Sequence, residues 1–130
     1  MFVQGQASEW ALMRRHRSED VFGVQICAAY PDTAARAAEM IDKESEVDFI
    51  DLNVGCPIDL VVNKGAGSCL LTKPSRLQQI VKAASASIEC QLTVKVSILF
   101  LSNVANYYMR ICFEGTLIMS LKILYQYSLY

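Results

Sequence analysis

Apolar and polar positions follow a regular pattern over the first 96 residues of this 130-residue chain. Three short, mainly apolar runs predict buried strands, at residues 22–27, 47–53 and 92–96. Apolar side chains at helical spacing predict three helices, at residues 7–16, 34–42 and 74–87. Because strands and helices alternate, the pattern predicts a parallel α/β sheet with right-handed crossovers and three β/α units.

Local signals at the ends of these segments refine the prediction. Ser8 is a candidate N-cap of the first helix, and Asp32 or Thr33 can cap the second. Pro74 fits the first turn of the third helix. The glycine-rich segment at residues 55–68 predicts a loop. Since the three strands carry apolar residues on both faces, we expect helices to cover the sheet on both sides.

The pattern changes after residue 96. Residues 97–130 mix Leu, Ile, Tyr and Ser without a clean period, which predicts an irregular hydrophobic C-terminal tail. The longest uncharged run in this region, residues 96–109, is shorter than the roughly 18–20 residues that a membrane-spanning helix requires. We therefore expect no membrane partner.

Charge and cysteine content exclude several classes of protein. A net charge of −1 is not typical of a protein that binds nucleic acid by bulk charge, so RNA contact would need a local basic patch. The five cysteines form no C-x-x-C pair and the chain has one histidine, so no metal site is expected. The odd cysteine count and the absence of a secretory signal predict an intracellular reducing compartment, either cytoplasmic or nuclear.

The second predicted strand ends in the motif Asn-x-Gly-Cys-Pro at residues 53–57. Gly55 permits a backbone turn before Cys56, and Pro57 fixes φ after it, so the thiol is held on a short, stiff loop. Cys56 could be a nucleophile, a general acid or a buried small apolar residue. The only histidine, His16, is distant in sequence, which disfavours a protease-type Cys–His pair.

Polar residues lie at or near the ends of all three predicted strands: Gln25, Asn53 with Cys56, and Lys95. The carboxyl ends of parallel strands carry the active sites of α/β proteins, so this placement predicts one shared site. Lys95 could extend a solvated ammonium group from a strand end or direct a cation at a cofactor ring or phosphate. Gln25 could likewise be an ordinary strand-end residue or an amide that binds a ring.

The motif at residues 53–57 resembles that of the tRNA-dihydrouridine synthase family, most closely its eukaryotic type-3, NAD(P)+-like branch. Further matching segments are Val-Asn-Lys-Gly-Ala-Gly-Ser-Cys-Leu-Leu at residues 62–71, Leu-Thr-Val-Lys at 92–95 and Val-Phe-Gly-Val-Gln-Ile at 21–26. The resemblance implies a flavin enzyme on a TIM barrel that uses FMN, with NAD(P)H as reductant. It also implies that the substrate is a uridine in tRNA, reduced at its C5–C6 double bond.

The resemblance assigns roles to individual residues. It implies that Cys56 donates a proton to C5 of the uridine and that Asn53 contacts this base. It implies that Gln25 and Lys95 bind the isoalloxazine ring of FMN, and that Lys64 helps to hold the RNA or the uridine. The segment around Lys64 lacks the residue order of a P-loop, so a nucleotide-phosphate loop of that kind is disfavoured.

The predicted architecture is a partial TIM barrel, because a closed barrel usually takes about 250 residues and this chain provides three of its eight units. We expect residues 4–96 to form a partial flavin-binding barrel and residues 97–130 to form a divergent tail. Two other functions stay open. One is another FMN-dependent TIM-barrel oxidoreductase, such as a dihydroorotate-type dehydrogenase, which the Gly-Cys-Pro motif disfavours. The other is a catalytically inactive truncated product.

Overall fold

A parallel β-sheet forms the centre of the protein in the computed structural model, which describes residues 7–96 and 118–119. Its strands, in spatial order, are β1 (Gly23–Ile26), β2 (Phe49–Asn53), β3 (Gln91–Lys95) and β4 (Ile118–Met119). All three neighbouring pairs are parallel. The parallel α/β sheet predicted from the alternating pattern is therefore confirmed.

Two long helices connect the first three strands. Helix α2 (Pro31–Glu44) follows β1, helix α4 (Pro74–Ser85) follows β2, and the two helices pack against each other. Three shorter helices are α1 (Ala7–Ala11), α3 (Asp59–Val62) and a 3₁₀ helix (Gly67–Thr72). None of the helices in the described part of the chain is long and apolar enough to cross a membrane.

The ends of the helices differ from the sequence-based prediction. Helix α2 begins at Pro31 and its N-cap is Tyr30, whose side chain makes no capping hydrogen bond, so the predicted capping by Asp32 or Thr33 is wrong. Proline at the first helical position already has the required φ and lacks the N–H that a cap would satisfy. Helix α1 starts before Ser8, which is therefore not its N-cap.

The predicted loop at residues 55–68 is more ordered than its glycine content indicated. It contains the whole of α3 and the beginning of the 3₁₀ helix. Positive φ angles occur at Gly65 (84°) and Gly67 (64°), not at Gly55. The predicted turn at Gly55 is therefore not made by a left-handed glycine, and the two later glycines allow the chain to leave α3 and enter the 3₁₀ helix.

The core lies on one face of the sheet. Alternate strand residues on this face pack with buried residues of α2 and α4 in a single cluster: Val24, Ile26, Ile50, Leu52, Leu92 and Val94. Burial of one such side chain stabilises the folded state by about 1.5–3 kcal/mol, so this layer is a major source of stability. The residues between them face the opposite way and include the polar side chains Gln25, Asp51 and Thr93.

The prediction that helices cover both faces of the sheet is therefore wrong for the described residues. Helices α2 and α4 cover one face, and the other carries a row of hydrogen-bonded polar side chains. Period-two alternation explains the difference, since every second residue of a strand faces away from the helices. The sheet does not close within the described region, as expected for a partial barrel.

Strand β4 lies inside the segment that was predicted to be an irregular tail. Ile118 and Met119 pair with Thr93 and Val94 of β3. The remainder of residues 97–130 lies outside the described residues. The division of the chain at residue 96 stays a prediction.

Candidate active site

The loop that carries Cys56 begins with a hydrogen-bonded turn at the carboxyl end of β2. The Asn53 side-chain oxygen accepts hydrogen bonds from the backbone N–H groups of Gly55 and Cys56, each with an N···O distance of 3.0 Å. Val54 is fully buried between them, and its N–H donates to the Lys95 carbonyl at 2.8 Å. An asparagine that accepts from the backbone two residues ahead is a turn-forming device, so Asn53 directs the chain at Cys56.

A second contact holds Cys56 from the opposite side of the loop. Its carbonyl oxygen accepts the N–H of Ser68 at 3.0 Å. A Cβ atom at Gly67 would lie 2.6 Å from the Cys56 oxygen and 2.9 Å from Cγ1 of Val61. Because such short distances are not tolerated and φ at Gly67 is positive, glycine is required for this approach. The half-buried Cys56 is thus fixed by backbone contacts on both sides.

Three of the predicted site residues meet beside this loop. The carboxamide oxygen of Gln25 accepts a hydrogen bond from Asn53 Nδ2 at 2.9 Å and one from Lys95 Nζ at 3.3 Å. The three residues come from adjacent strands, and Asn53 is the register partner of Lys95. The structure therefore brings Gln25, Asn53 and Lys95 together, as strand-end placement predicted, while their individual roles stay predictions.

Two buried polar residues that sequence analysis missed lie next to this group. The Asp51 carboxylate accepts hydrogen bonds from Gln25 Nε2 at 2.5 Å and from Thr93 Oγ1 at 2.7 Å. Asp51 and Thr93 are only 7% and 6% exposed, so each needs the partner that the other provides. Their signal in the sequence is positional: each is polar at the alternate position of a strand whose neighbouring residues are apolar.

Two further thiols lie near Cys56. Cys27 follows β1, and its Sγ is 3.9 Å from the Asn53 carbonyl oxygen, whereas Cys69 Sγ donates to the Ala66 carbonyl at 3.2 Å. Burial of its sulfur is the main cause that raises the pKa of Cys27; a hydrogen bond from the Gly67 backbone opposes this, and the nearby thiols add to the rise. No motif in the sequence marks Cys27 or Cys69, and the structure places both beside the site.

Basic and aromatic side chains from the loop and from the starts of α2 and α4 lie close together. Arg76, in the first turn of α4, lies over the ring of Tyr30 at 5.5 Å from the ring centre, and Tyr30 is 55% exposed. An arginine nitrogen lies 3.7 Å from the position that a Cβ of Gly65 would take, next to the exposed Lys64. Tyr30, Lys64 and Arg76 are called the basic rim below. Neither Lys64 nor Arg76 makes an ion pair with any described residue.

Residues 2–116 match the protein-family model of dihydrouridine synthases (Dus). This chain belongs to the dihydrouridine synthase family. Its membership confirms the resemblance carried by the Asn-x-Gly-Cys-Pro motif. The matched region continues past residue 96, into the segment that was predicted to be a divergent tail. In the described part of this dihydrouridine synthase chain, no group of three or more His, Cys, Asp or Glu side chains could hold a metal ion.

Curated relatives share a substantial part of the sequence. A protein of Oryza sativa subsp. japonica named tRNA-dihydrouridine(47) synthase, NAD(P)(+)-like, is 69% identical over 98 residues, which is 75% of this chain and 14% of that relative. Proteins of the same name from Arabidopsis thaliana and Homo sapiens are 62% identical over 98 residues and 51% identical over 94 residues. These matches cover 75% and 72% of this chain and 14% of each relative. This chain therefore spans about 14% of the length of the curated relatives that it matches.

Proposed function

We propose that this chain acts in the reduction of uridine to 5,6-dihydrouridine in tRNA, with FMN as the flavin and NAD(P)H as the reductant. The observation that carries the proposal is the placement of Cys56. Its thiol is held on a rigid loop at the carboxyl edge of the sheet, beside the cluster of Gln25, Asn53 and Lys95. In this proposal the proton donor and the ring-binding groups share one edge of the sheet, which supports the reduction of a carbon–carbon double bond.

The side chains near Cys56 fit an isoalloxazine ring. The ring has carbonyl oxygens and ring nitrogens that accept hydrogen bonds, and the cluster offers an ammonium group and an amide. Lys95 uses one hydrogen bond to Gln25, and Gln25 uses one N–H on Asp51, so each has donor capacity that no described residue occupies. Gln25 and Lys95 would hold FMN, which supplies the hydride for C6 of the uridine when it is bound.

The chain's own contribution to the reaction is the proton. Cys56 would transfer its S–H proton to C5, and the backbone hydrogen bonds at its N–H and C=O keep the thiol in place. Asn53 accepts two backbone N–H groups and donates one N–H to Gln25, which leaves its second amide N–H for the uridine. In this proposal Asn53 both positions Cys56, the proton donor, and contacts the uracil of the substrate.

The proposed substrate requires a surface that contacts RNA. The basic rim provides two cations without ion-pair partners among the described residues and an exposed aromatic ring, although the whole chain has a net charge of −1. Lys64 and Arg76 would contact phosphates, which position a nucleic acid without reading its sequence. The uridine would leave its stack to reach Cys56, which favours weakly stacked positions.

We also propose a cytoplasmic or nuclear location, supported by four free cysteines among the described residues.

The flavin part of the proposal is tested by titration of the purified 130-residue chain with FMN, followed by quenching of flavin fluorescence. We expect saturable binding that the double variant Gln25→Leu/Lys95→Met abolishes. The matched control is Lys82→Met, because Lys82 is an exposed lysine in the last turn of α4, away from the site. If wild-type chain does not bind FMN at micromolar concentrations, this chain alone is not an active enzyme and the inactive-product alternative is favoured.

The catalytic part needs a complete enzyme. The matched 98-residue segment can replace its counterpart in the Oryza sativa relative, which gives a chimera with this chain's site. We expect the chimera to restore dihydrouridine to tRNA from a strain that lacks it, measured by mass spectrometry of nucleosides. A chimera that folds, binds FMN and produces no dihydrouridine would contradict the proposed reaction.

A further inference from the structure

Asp51 is a buried carboxylate for which the proposed reaction has no direct use. It lies in the middle of β2, on the face of the sheet opposite helices α2 and α4. Its register partners are Gln25 on β1 and Thr93 on β3, so the three residues form one row across three strands. Both neighbours donate hydrogen bonds to it, one to each carboxylate oxygen.

The Asp51 carboxylate fixes the nitrogen end of the Gln25 amide, and two donors fix its oxygen end. An ionised carboxylate only accepts hydrogen bonds, so the Gln25 nitrogen must face Asp51 and the Gln25 oxygen must face the other way. That oxygen then meets two donors, Asn53 Nδ2 and Lys95 Nζ. The reversed amide would place its oxygen against the carboxylate and its nitrogen against two N–H donors. All three contacts would then be repulsive, so one orientation is strongly favoured.

Strand β2 fixes both ends of this amide. Asp51 accepts a hydrogen bond from the Gln25 nitrogen, and Asn53, two residues further along the strand, donates one to the Gln25 oxygen. Residues i and i+2 of a strand lie on the same face about 6.6 Å apart, a spacing that spans a carboxamide and its two hydrogen bonds. Thr93 in turn holds the second Asp51 oxygen, so the carboxylate cannot rotate freely.

We propose that Asp51 is a positioning residue that fixes the orientation of the Gln25 carboxamide for ligand binding, and that Thr93 fixes Asp51. The amide then presents its second N–H beside the Lys95 ammonium, and this pair of donors suits the acceptor edge of a planar heteroaromatic ring. The identity of that ring as FMN rests on the proposed function. The orientation of Gln25 does not, because it follows from the hydrogen bonds within the protein.

The orientation is tested by NMR on the isotope-labelled 130-residue chain, with the Gln25 side-chain amide assigned by loss of its signals in Gln25→Leu. We expect one amide proton of the wild type to be shifted strongly downfield by the carboxylate. In Asp51→Asn this shift should disappear, since the charged acceptor is gone and only Asn53 and Lys95 still select an orientation of the amide. Asp32→Asn is the matched control, because Asp32 is an exposed acid in the first turn of α2.

A second variant and a second readout keep the test decisive. If Asp51→Asn does not fold, Thr93→Val is used instead. This variant retains the Asp51 carboxylate, removes the hydrogen bond from Thr93 to it and should reduce the downfield shift of the Gln25 amide proton. Thr93→Ser keeps the hydroxyl and should preserve the shift. FMN affinity is then measured for each folded variant, and we expect a loss of about tenfold for Asp51→Asn, as for one charge-assisted hydrogen bond. If the amide signals are unchanged in these variants, or if FMN binds to them as tightly as to wild type, the proposal is overturned. If the signals change and wild type does not bind FMN, the orientation by Asp51 is supported and the proposed function fails.

Discussion

Gln25 and Asp51 face each other across adjacent parallel strands, with 2.5 Å between Gln25 Nε2 and an Asp51 carboxylate oxygen. This contact links the buried row of the sheet to the cluster at its carboxyl edge, because the other end of the same amide accepts from Lys95. The candidate site therefore rests on side-chain hydrogen bonds inside the sheet as well as on its loops. Changes at buried positions of the row are expected to affect both stability and binding.

The hydroxyl of Thr93 provides the simplest stability test of this row. Replacement of Thr93 by Val removes the donor to Asp51 and leaves one oxygen of a buried carboxylate without its partner. We expect the free energy of unfolding to fall by about 1.5–3 kcal/mol, the usual contribution of a hydrogen bond to a charged group. Urea unfolding measures the change. Thr33→Val, at an exposed position, is the control, and an equal effect of both substitutions would contradict the assignment.

Gly65 and Gly67 both have positive φ, but only a Cβ at Gly67 would collide with Cys56. Comparison of the two therefore separates the energetic cost of the collision from that of the backbone strain. Gly67→Ala adds strain and also drives a Cβ to 2.6 Å from the Cys56 oxygen, so we expect a loss of about 3 kcal/mol. Gly65→Ala adds a Cβ whose nearest atoms lie at 3.6 and 3.7 Å, so only the strain of about 1–2 kcal/mol is expected. Urea unfolding of both variants gives the difference. Equal losses in the free energy of unfolding would contradict a destabilising collision between the Cβ that Gly67→Ala introduces and the Cys56 oxygen.

The proposed acid is tested by replacement of Cys56 in the chimera with the Oryza sativa relative. Cys56→Ala should lower the rate of dihydrouridine formation by about 100-fold or more, the usual contribution of a positioned proton donor. Bound FMN should stay unchanged, because Gln25 and Lys95 are intact. Cys90→Ala is the matched control, since Cys90 lies in the connection from α4 to β3, before the strand whose other end carries Lys95. Full activity of Cys56→Ala would exclude the proton-donor role.

The lowered pKa of Asp42 leads to a prediction of how the free energy of unfolding depends on pH. Burial acts to raise the pKa of this carboxyl, but hydrogen bonds from the Cys90 thiol and from the Glu89 and Cys90 N–H groups outweigh it, so the folded-state pKa is below the ordinary 3.8. A depressed pKa stabilises the folded state above the unfolded-state pKa, and this contribution is lost as the pH falls through the folded-state value. Urea midpoints of wild type and Asp42→Asn should therefore differ at pH 7 and converge as the pH falls through the folded-state pKa of Asp42. A constant difference would contradict this linkage.

The same contact predicts the reactivity of Cys90. Burial is the main cause that raises the pKa of this thiol to about 12, and the Asp42 carboxylate adds to the rise. Since the thiolate is the reactive form, Cys90 should be alkylated by iodoacetamide at pH 8 only after unfolding. Mass spectrometry of peptides from native and urea-treated chain measures this. Rapid labelling of Cys90 in the native chain would contradict the packing around it.

The basic rim predicts the salt dependence of RNA binding. Lys64→Gln and Arg76→Gln should each weaken tRNA binding and reduce the slope of log affinity against log salt by about one, because each removes one phosphate contact. Fluorescence anisotropy with the 130-residue chain and labelled tRNA measures the slope. Arg17→Gln is the control, since Arg17 is exposed and precedes β1. A slope that only Arg17→Gln changes would place the RNA elsewhere.

Strands and long helices of this chain were predictable to within a few residues. The run at residues 22–27 became Gly23–Ile26, and the helix predicted over 74–87 became Pro74–Ser85 with Leu77, Ile80 and Val81 buried. These elements follow from side-chain periodicity, which is a local property of the sequence. The strand-end positions of Gln25, Asn53 and Lys95 were predictable for the same reason, since parallel strands end at one edge.

Cross-strand hydrogen bonds were not predictable. Asp51 appeared as part of an apolar strand, because its partners Gln25 and Thr93 are brought to it by the strand register, which no local signal specifies. The role of Gly67 was hidden for a similar reason, since the contact that excludes a side chain there is with Cys56. The short helix α3 lies in a glycine-rich segment whose composition favoured a loop.

The division of the sheet into a covered apolar face and a polar face has a consequence for synthesis on the ribosome. The partners of the apolar face, α2 and α4, are both encoded before the end of β3, so this layer can assemble once residues 23–95 have left the exit tunnel. On the other face the side chains of Gln25, Asp51 and Thr93 already satisfy one another by hydrogen bonds within the first three strands. A nascent chain could thus hold its apolar layer in a folded state before any further strand is made, with less exposed surface for chaperones to bind.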